Sequence, residues 1–150
     1  MSQFARFREI IKPYVPLILR VGLGVVFLWS GLSKFGVDNN PLGICTNRTE
    51  AIDFASTLGW LPINPDLFVT VQSIAELILG TMLVVGLWTE VAAAISVAMY
   101  ALFFAMFDFS LIWKNVGLFT ASIALLGMDD ALLSLSSWWQ RRQRRVSWPM

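Results

Sequence analysis

Apolar residues gather into three long stretches, Tyr14 to Phe35, Phe68 to Phe109 and Leu111 to Met128, set apart by a long polar segment over 36–67 and by Ser110. The first is long enough to cross a hydrocarbon core about 30 Å thick, which takes roughly 20 residues of helix. Arg6, Arg8 and Lys12 precede it, as they would in a secretory leader. A leader's apolar region, however, is only about 7–15 residues long and ends at a small-residue cleavage site. Here Ser30-Gly31-Leu32-Ser33-Lys34-Phe35 offers no Ala-x-Ala, so a retained helix over 14–35 is predicted. The second stretch, as one helix rising about 1.5 Å per residue, would be roughly twice as long as the core is thick. It must fold back, and its polar break is Trp88-Thr89-Glu90. Two helices follow, over 68–88 and 89–109, with Thr89 as N-cap of the latter. The last stretch predicts a helix over 111–128. The outer loop, 36–67, is polar and broken by Asn39-Asn40-Pro41, Pro62 and Asn64-Pro65, with a short amphipathic helix expected from Glu50 to Leu58. The pattern predicts an all-α integral membrane four-helix bundle, one membrane domain over 1–150, with a basic tail at 136–150.

Composition agrees. The chain is 57% hydrophobic and 14% charged, where soluble domains average about 45–50% and about 25%. The net charge of +1 carries little information because the charges are segregated. Arg6, Arg8 and Lys12 lie before the first helix, and Arg141, Arg142, Arg144 and Arg145 lie in the tail. The outer loop holds Asp38, Glu50, Asp53 and Asp66 against a single base, Arg48. By the positive-inside rule both termini are cytoplasmic, N-in and C-in, in a multi-pass protein of the cytoplasmic (inner) membrane. Trp138-Trp139 beside the arginines suits a headgroup-level anchor, so the tail's partner is lipid rather than nucleic acid.

With no histidine and one cysteine, Cys45, the chain has no imidazole for haem, metal or general-base work and no internal disulfide or thiolate cage. No metal site is expected, and no covalently held cofactor.

Each predicted helix carries a small or polar stripe at spacings of three and four, the seam of left-handed packing. In the first it is Arg20, Gly24, Phe27, Gly31 and Lys34; in the second, Gln72, Glu76 and Gly80 with Ser73 beside them. In the third it is Glu90, Ala94, Ala98, Ala101, Ala105 and Asp108; in the fourth, Lys114, Gly117, Ala121 and Ala124. Small residues let membrane helices approach closely, and for the glycines and alanines packing alone is a sufficient account. Charges at membrane depth are costly and tend to pair or to line polar sites. Arg20, Glu90 and Asp108 are read as members of structural ion pairs. Glu76, about 12 Å below the outer end of its helix, is the deepest. A buried carboxylate pairs with a cation or stays protonated, and either state suits proton transfer or a hydrogen bond to a polar ligand head. Glu76 is therefore the candidate proton-relay residue, expected to cluster with Lys34, Lys114 or both. A quinone pocket would be lined by Phe27, Gly31 and Gly80, with Lys34 and Lys114 donating to the carbonyls. The competing reading is that the glycines only let helices touch and the charges only neutralise one another.

Three groups of residues resemble the DoxX family of small bacterial and archaeal membrane proteins. They are Leu19-Arg20, Gly24, Phe27-Leu28, Gly31 and Lys34; then Glu76, Gly80, Leu83, Gly86-Leu87, Thr89 and Ala92-Ala93; then Lys114-Asn115, Gly117-Leu118 and Leu125-Leu126-Gly127. The resemblance runs roughly from residue 14 to 128. It implies a four-helix membrane protein and suggests links to thiosulfate:quinone oxidoreductase or quinol oxidase complexes, in which related chains are small subunits. On that reading the chain is a subunit, not catalytic alone, of a quinone-linked complex of sulfur or thiosulfate oxidation. Other protein subunits supply the electron-transfer centres and a quinone is the one cofactor implied. The alternative is a non-catalytic scaffold or assembly subunit. One position departs from the family, which usually places Arg directly after the Thr of the turn between the second and third helices. Here it is Glu90, so no role of that Arg carries over.

Overall fold

A computed structural model describes residues 3–35, 47–59, 62–106 and 113–128. Among them every regular element is helical: α1 (Gln3–Ile11), a 3-10 turn (Lys12–Tyr14), α2 (Val15–Ser33), α3 (Arg48–Thr57), α4 (Pro65–Val85), α5 (Thr89–Met106) and α6 (Trp113–Leu126). Cys45, Asp108 and the tail at 136–150 lie outside the described residues, as does the side chain of Lys114. Two helical stretches, Gln3–Ser33 and Pro65–Val85, are long and apolar enough to cross a membrane, and Thr89–Ala105 and Asn115–Leu126 are shorter apolar helices.

Helix ends follow local chemistry. α3 begins at Arg48, earlier than the sequence pattern suggests, because Asn47 and Glu50 make a reciprocal capping box. The Asn47 Oδ1 accepts from the Glu50 N–H at 2.9 Å, and a Glu50 carboxylate oxygen accepts from the Asn47 N–H at 3.3 Å. Two of the donors a helix start leaves orphaned are thereby satisfied. α4 likewise starts before the expected Phe68. Asn64 caps it, accepting from the Asp66 N–H at 2.9 Å, and Pro65 supplies the preset φ of a first helical residue. At the other end of α4, Gly86 takes a φ of 76°. Its N–H and that of Leu87 both donate to the Met82 carbonyl, at 2.8 and 2.9 Å, the left-handed closure that glycine permits. Thr89 is not the N-cap of α5. Trp88 holds that position with a φ of 48°, its carbonyl accepting from Ala92 N–H at 2.9 Å. Thr89 is the first helical residue, and its buried hydroxyl has no hydrogen-bond partner among the described residues.

The chain divides into two compact units whose boundaries fall inside α2 and α4: Met1–Leu23 with Met82–Met150, and Gly24–Thr81. In the first unit α5 packs against α6, with Phe104 and Phe119 edge to face at 5.1 Å, worth about 0.5–1.5 kcal/mol beyond burial. The buried face of α5 is Thr89, Ala92, Ala93, Ser96 and Tyr100, while Glu90, Ala94, Ala98, Ala101 and Ala105, the expected seam, are exposed. Among the described side chains of α6, Ser122 and Leu125 are buried, with Gly117 and Ala124 exposed. The faces turn because alanine suits any environment and does not select one. Ser96 and Ser122 can be buried because each hydroxyl donates to the carbonyl four residues back, at 2.8 Å in both cases, leaving no orphaned donor.

On α2 and α4 the expected seams are the buried ones. Arg20, Gly24, Phe27, Gly31 and Lys34 are all buried on α2, as are Ser73, Glu76 and Gly80 on α4.

Candidate functional site

The chemistry collects in the second unit, where the end of α2, α3 and the first four turns of α4 come together. Lys34 follows the last turn of α2, and its backbone N–H still bonds the Gly31 carbonyl at 3.3 Å. Glu76 lies on the buried face of α4. Lys34 and Glu76 are 4% and 2% exposed, and Lys34 Nζ lies 2.6 Å from Glu76 Oε2.

All three hydrogens of the ammonium have acceptors, and each carboxylate oxygen has a donor. An ammonium has three hydrogens to give. Lys34 directs them at Glu76 Oε2, at Ser30 Oγ (3.0 Å) and at the Ser30 carbonyl (3.3 Å). The other carboxylate oxygen, Glu76 Oε1, accepts from Gln72 Nε2 at 3.1 Å. Ser30 and Lys34 are four residues apart on α2, and Gln72 and Glu76 are four apart on α4, so each charge has its helper one turn away on its own helix. Full hydrogen bonding is what lets a charge pair persist at low exposure, where an uncompensated charge costs several kcal/mol.

A third element ties in from the loop. Arg48, the first residue of α3, donates through Nη1 to the Lys34 backbone carbonyl at 3.3 Å. Its Nη2 reaches Asp66 Oδ1 at 2.7 Å and Thr70 Oγ1 at 2.9 Å. One guanidinium thus joins the start of α3, the end of α2 and the first turn of α4. Unlike the pair below it, this clasp is solvent-facing, the Arg48 and Asp66 side chains being 33% and 58% exposed.

Gly31 and Gly80 mark where α2 and α4 touch. A Cβ on Gly31 would sit 2.8 Å from Leu77 Cγ and 3.0 Å from the Ser73 carbonyl. One on Gly80 would sit 2.8 Å from both the Gly24 carbonyl and the Leu28 nitrogen. The space above each glycine is filled by the neighbouring helix. Phe27, on the same face of α2, is buried at 3% exposure.

Among the sequence-derived candidates, the structure brings Lys34 and Glu76 together, with Phe27, Gly31 and Gly80 on the same buried seams. Arg20 is buried in the first unit. Glu90, in the first turn of α5, is exposed. Arg48, Ser30, Asp66 and Thr70 are participants that the sequence pattern does not single out. The i, i+4 spacing of Ser30 and Lys34 is a usable signal. Arg48 offers only its isolation among acidic loop residues, since its partners stand 14 to 22 positions away.

The DoxX family model matches residues 15–110, a range that begins at the start of α2 and takes in α3, α4 and α5. No curated protein gives a match, and no solved structure does.

Proposed function

From the premise that this chain belongs to the DoxX family of membrane proteins, we propose that it is a small multi-pass subunit of a quinone-linked oxidoreductase complex of the cytoplasmic membrane. In this reading the Lys34–Glu76 pair fastens α2 to α4, and partner subunits carry the redox centres. One observation supports the fastening role above others: every polar hydrogen of the Lys34 ammonium and both oxygens of Glu76 are already engaged within the chain. An ammonium whose three hydrogens are all given has none left to donate to a quinone carbonyl. The filled spaces over Gly31 and Gly80 support the same reading, because a quinone head needs a flat open slot.

The topology we propose has four membrane spans, formed by α2, α4, α5 and α6, with both termini cytoplasmic. Its support is the basic residues before α2 and in the tail, opposed to the acidic segment between them. α4, with 21 residues, is about 32 Å long and fits a core about 30 Å thick.

The test is a quinone titration of the purified complex, with stability measured in parallel. For a fastening pair, Glu76→Gln and Lys34→Met lower stability while the folded fraction keeps its quinone affinity and turnover. If either variant retains stability but loses quinone affinity or turnover tenfold or more, the pair is a proton-relay or quinone-binding site and the fastening role is wrong. Purification of a complex with no redox centre would remove the quinone-linked assignment and leave a scaffold subunit.

A further inference from the structure

Helix α1 is the part of the described chain that the proposed function does not use. It has no buried residue. Phe4, Phe7 and Ile10 are 86%, 63% and 61% exposed, an unusual concentration of bare apolar surface on nine residues. At 3.6 residues per turn, Phe4, Phe7, Ile10 and Ile11 fall within an arc of about 120°. Arg6 and Arg8 flank that arc on either side, and Glu9 and Lys12 lie opposite.

We propose that α1 is an interfacial helix, its phenylalanine and isoleucine face seated at the acyl boundary of the bilayer and its basic residues on anionic lipid headgroups. The proposal rests on the reading that α2 spans the membrane. Three observations carry it. The first is continuity. α1 runs through the 3-10 turn into α2 as one stretch of 31 residues, about 46 Å long against a core of about 30 Å. The 19 residues of α2 already measure about 28 Å, so α1 is the surplus, held within one turn of the membrane surface. The second is charge. Arg6, Arg8 and Lys12 against the single acid Glu9 complement an anionic leaflet, and the flanking arginines can lay their methylene stems along the apolar arc with the guanidinium in the headgroups. The third is the joint. Pro13 and Pro16 have no N–H, so neither returns a bond to the carbonyl four residues back, at Glu9 and Lys12. The backbone tightens to 3-10 over Lys12–Tyr14, while the flanking Ile11 and Val15 stay right-handed helical. α1 is thus a helix that remains helical across a point where the ladder is weakened and can bend.

The experiment uses the full chain carrying Cys45→Ser and one spin-labelled cysteine at a time, reconstituted in nanodiscs of zwitterionic lipid with or without anionic phosphatidylglycerol. The readout is collision with oxygen, which concentrates in lipid, against collision with a water-soluble nickel chelate. Three sites suffice: Phe7→Cys on the apolar arc, Glu9→Cys opposite, and Val25→Cys in α2. In anionic nanodiscs the Phe7 label favours oxygen and the Glu9 label favours nickel. Neutralising Arg6 and Arg8 with glutamine, or omitting the anionic lipid, returns the Phe7 label toward water, each basic residue counting for roughly a five-fold change in partition. Equal nickel access at Phe7 and Glu9 in anionic nanodiscs would overturn the proposal, because α1 would stand in water. A Phe7 label shielded from both reagents would overturn it too, because protein would cover the face. Insertion indifferent to lipid charge would overturn the anionic-headgroup assignment. The Val25 label separates the two levels. If it favours oxygen while Phe7 does not, the span stands and only the interfacial helix fails; if it also favours nickel, the spanning reading itself fails.

Discussion

Replacing Glu76 by glutamine keeps the side chain's shape and removes its charge, and the structure says what that leaves behind. The Lys34 ammonium stays 4% exposed with two neutral acceptors, both from Ser30, and an amide oxygen where the carboxylate stood at 2.6 Å. At an effective dielectric constant near 20, two unit charges at that separation attract by about 6 kcal/mol. Much of this is offset by the desolvation of both groups, and measured losses on deleting one partner of a buried pair are about 3–5 kcal/mol. Because the substituted amide would still accept a hydrogen bond, Glu76→Gln should fall at the lower end, about 3 kcal/mol, and Glu76→Ala at the upper. Lys34→Met with Glu76→Leu removes both charges and keeps similar volume, and such replacements are often neutral or stabilising. The double variant should therefore recover to within about 1 kcal/mol of wild type. Equilibrium unfolding in mixed micelles, followed by circular dichroism, of wild type, Lys34→Met, Glu76→Leu and the double variant gives all four corners of the cycle. A Glu76→Gln protein within about 0.5 kcal/mol of wild type, inside the range of ordinary surface substitutions, would refute the claim that the pair is buried and mutually dependent.

Three further outcomes follow from the same geometry. Gly80→Ala should destabilise by about 1–3 kcal/mol, because its Cβ meets the Gly24 and Leu28 backbone at 2.8 Å; Gly117→Ala, with nothing within 4 Å, should be neutral or stabilise by about 0.5–1 kcal/mol, both read from the same unfolding assay. Arg48→Met should raise amide hydrogen exchange across α3 while costing at most about 1 kcal/mol globally, since the clasp is solvent-facing; in the wild type, high salt should reproduce part of the effect. Cys45 should react with an impermeant maleimide added to spheroplasts, since the proposed topology puts the loop outside; labelling only after lysis would reverse that topology.

How much of this is legible in the sequence depends on what each residue type can tell. Lys34 and Glu76 stand out because an ionised group in an apolar run needs a reason, and glycines at spacings of three and four beside them mark the buried faces of α2 and α4. Alanine carries no such information. The run of Ala94, Ala98, Ala101 and Ala105 makes a regular stripe, yet α5 buries the side bearing Ser96 and Tyr100. Serine reads as a polar residue, although one that bonds its own helix is a satisfied and buriable group. Helix starts shift where a cap reads as loop: Asn47 with Glu50, and Asn64 before Pro65. Trp88 is invisible as a cap because a left-handed φ on tryptophan has no sequence signature. Arg48 belongs to a different category. Its partners are set by the return of the chain from α3 to α4, and tertiary proximity of that kind leaves no local pattern.

A further consequence concerns register. Glycine against leucine, as at Gly31 and Leu77, brings helices close but says little about their offset along the axis, because apolar contacts re-form after a slide. A slide of α4 by one turn, about 5.4 Å, would carry Glu76 out of reach of Lys34 and leave two charges buried without partners. The pair thus penalises every offset but one, and the Arg48 clasp on Asp66, Thr70 and the Lys34 carbonyl selects the same offset from the loop side. Polar groups in an apolar seam are best attested in this role of fixing register, at little or no gain in stability. The double variant Lys34→Met with Glu76→Leu separates the two quantities, since it should keep stability and lose uniqueness. Spin labels at Trp29 and Ile78, both on exposed faces of α2 and α4, report the offset as a distance distribution. Wild type should give one narrow peak and the double variant a broadened or split one. A single narrow peak in the double variant at the wild-type distance would assign register to the glycine contacts and the clasp, and leave the ion pair without that role.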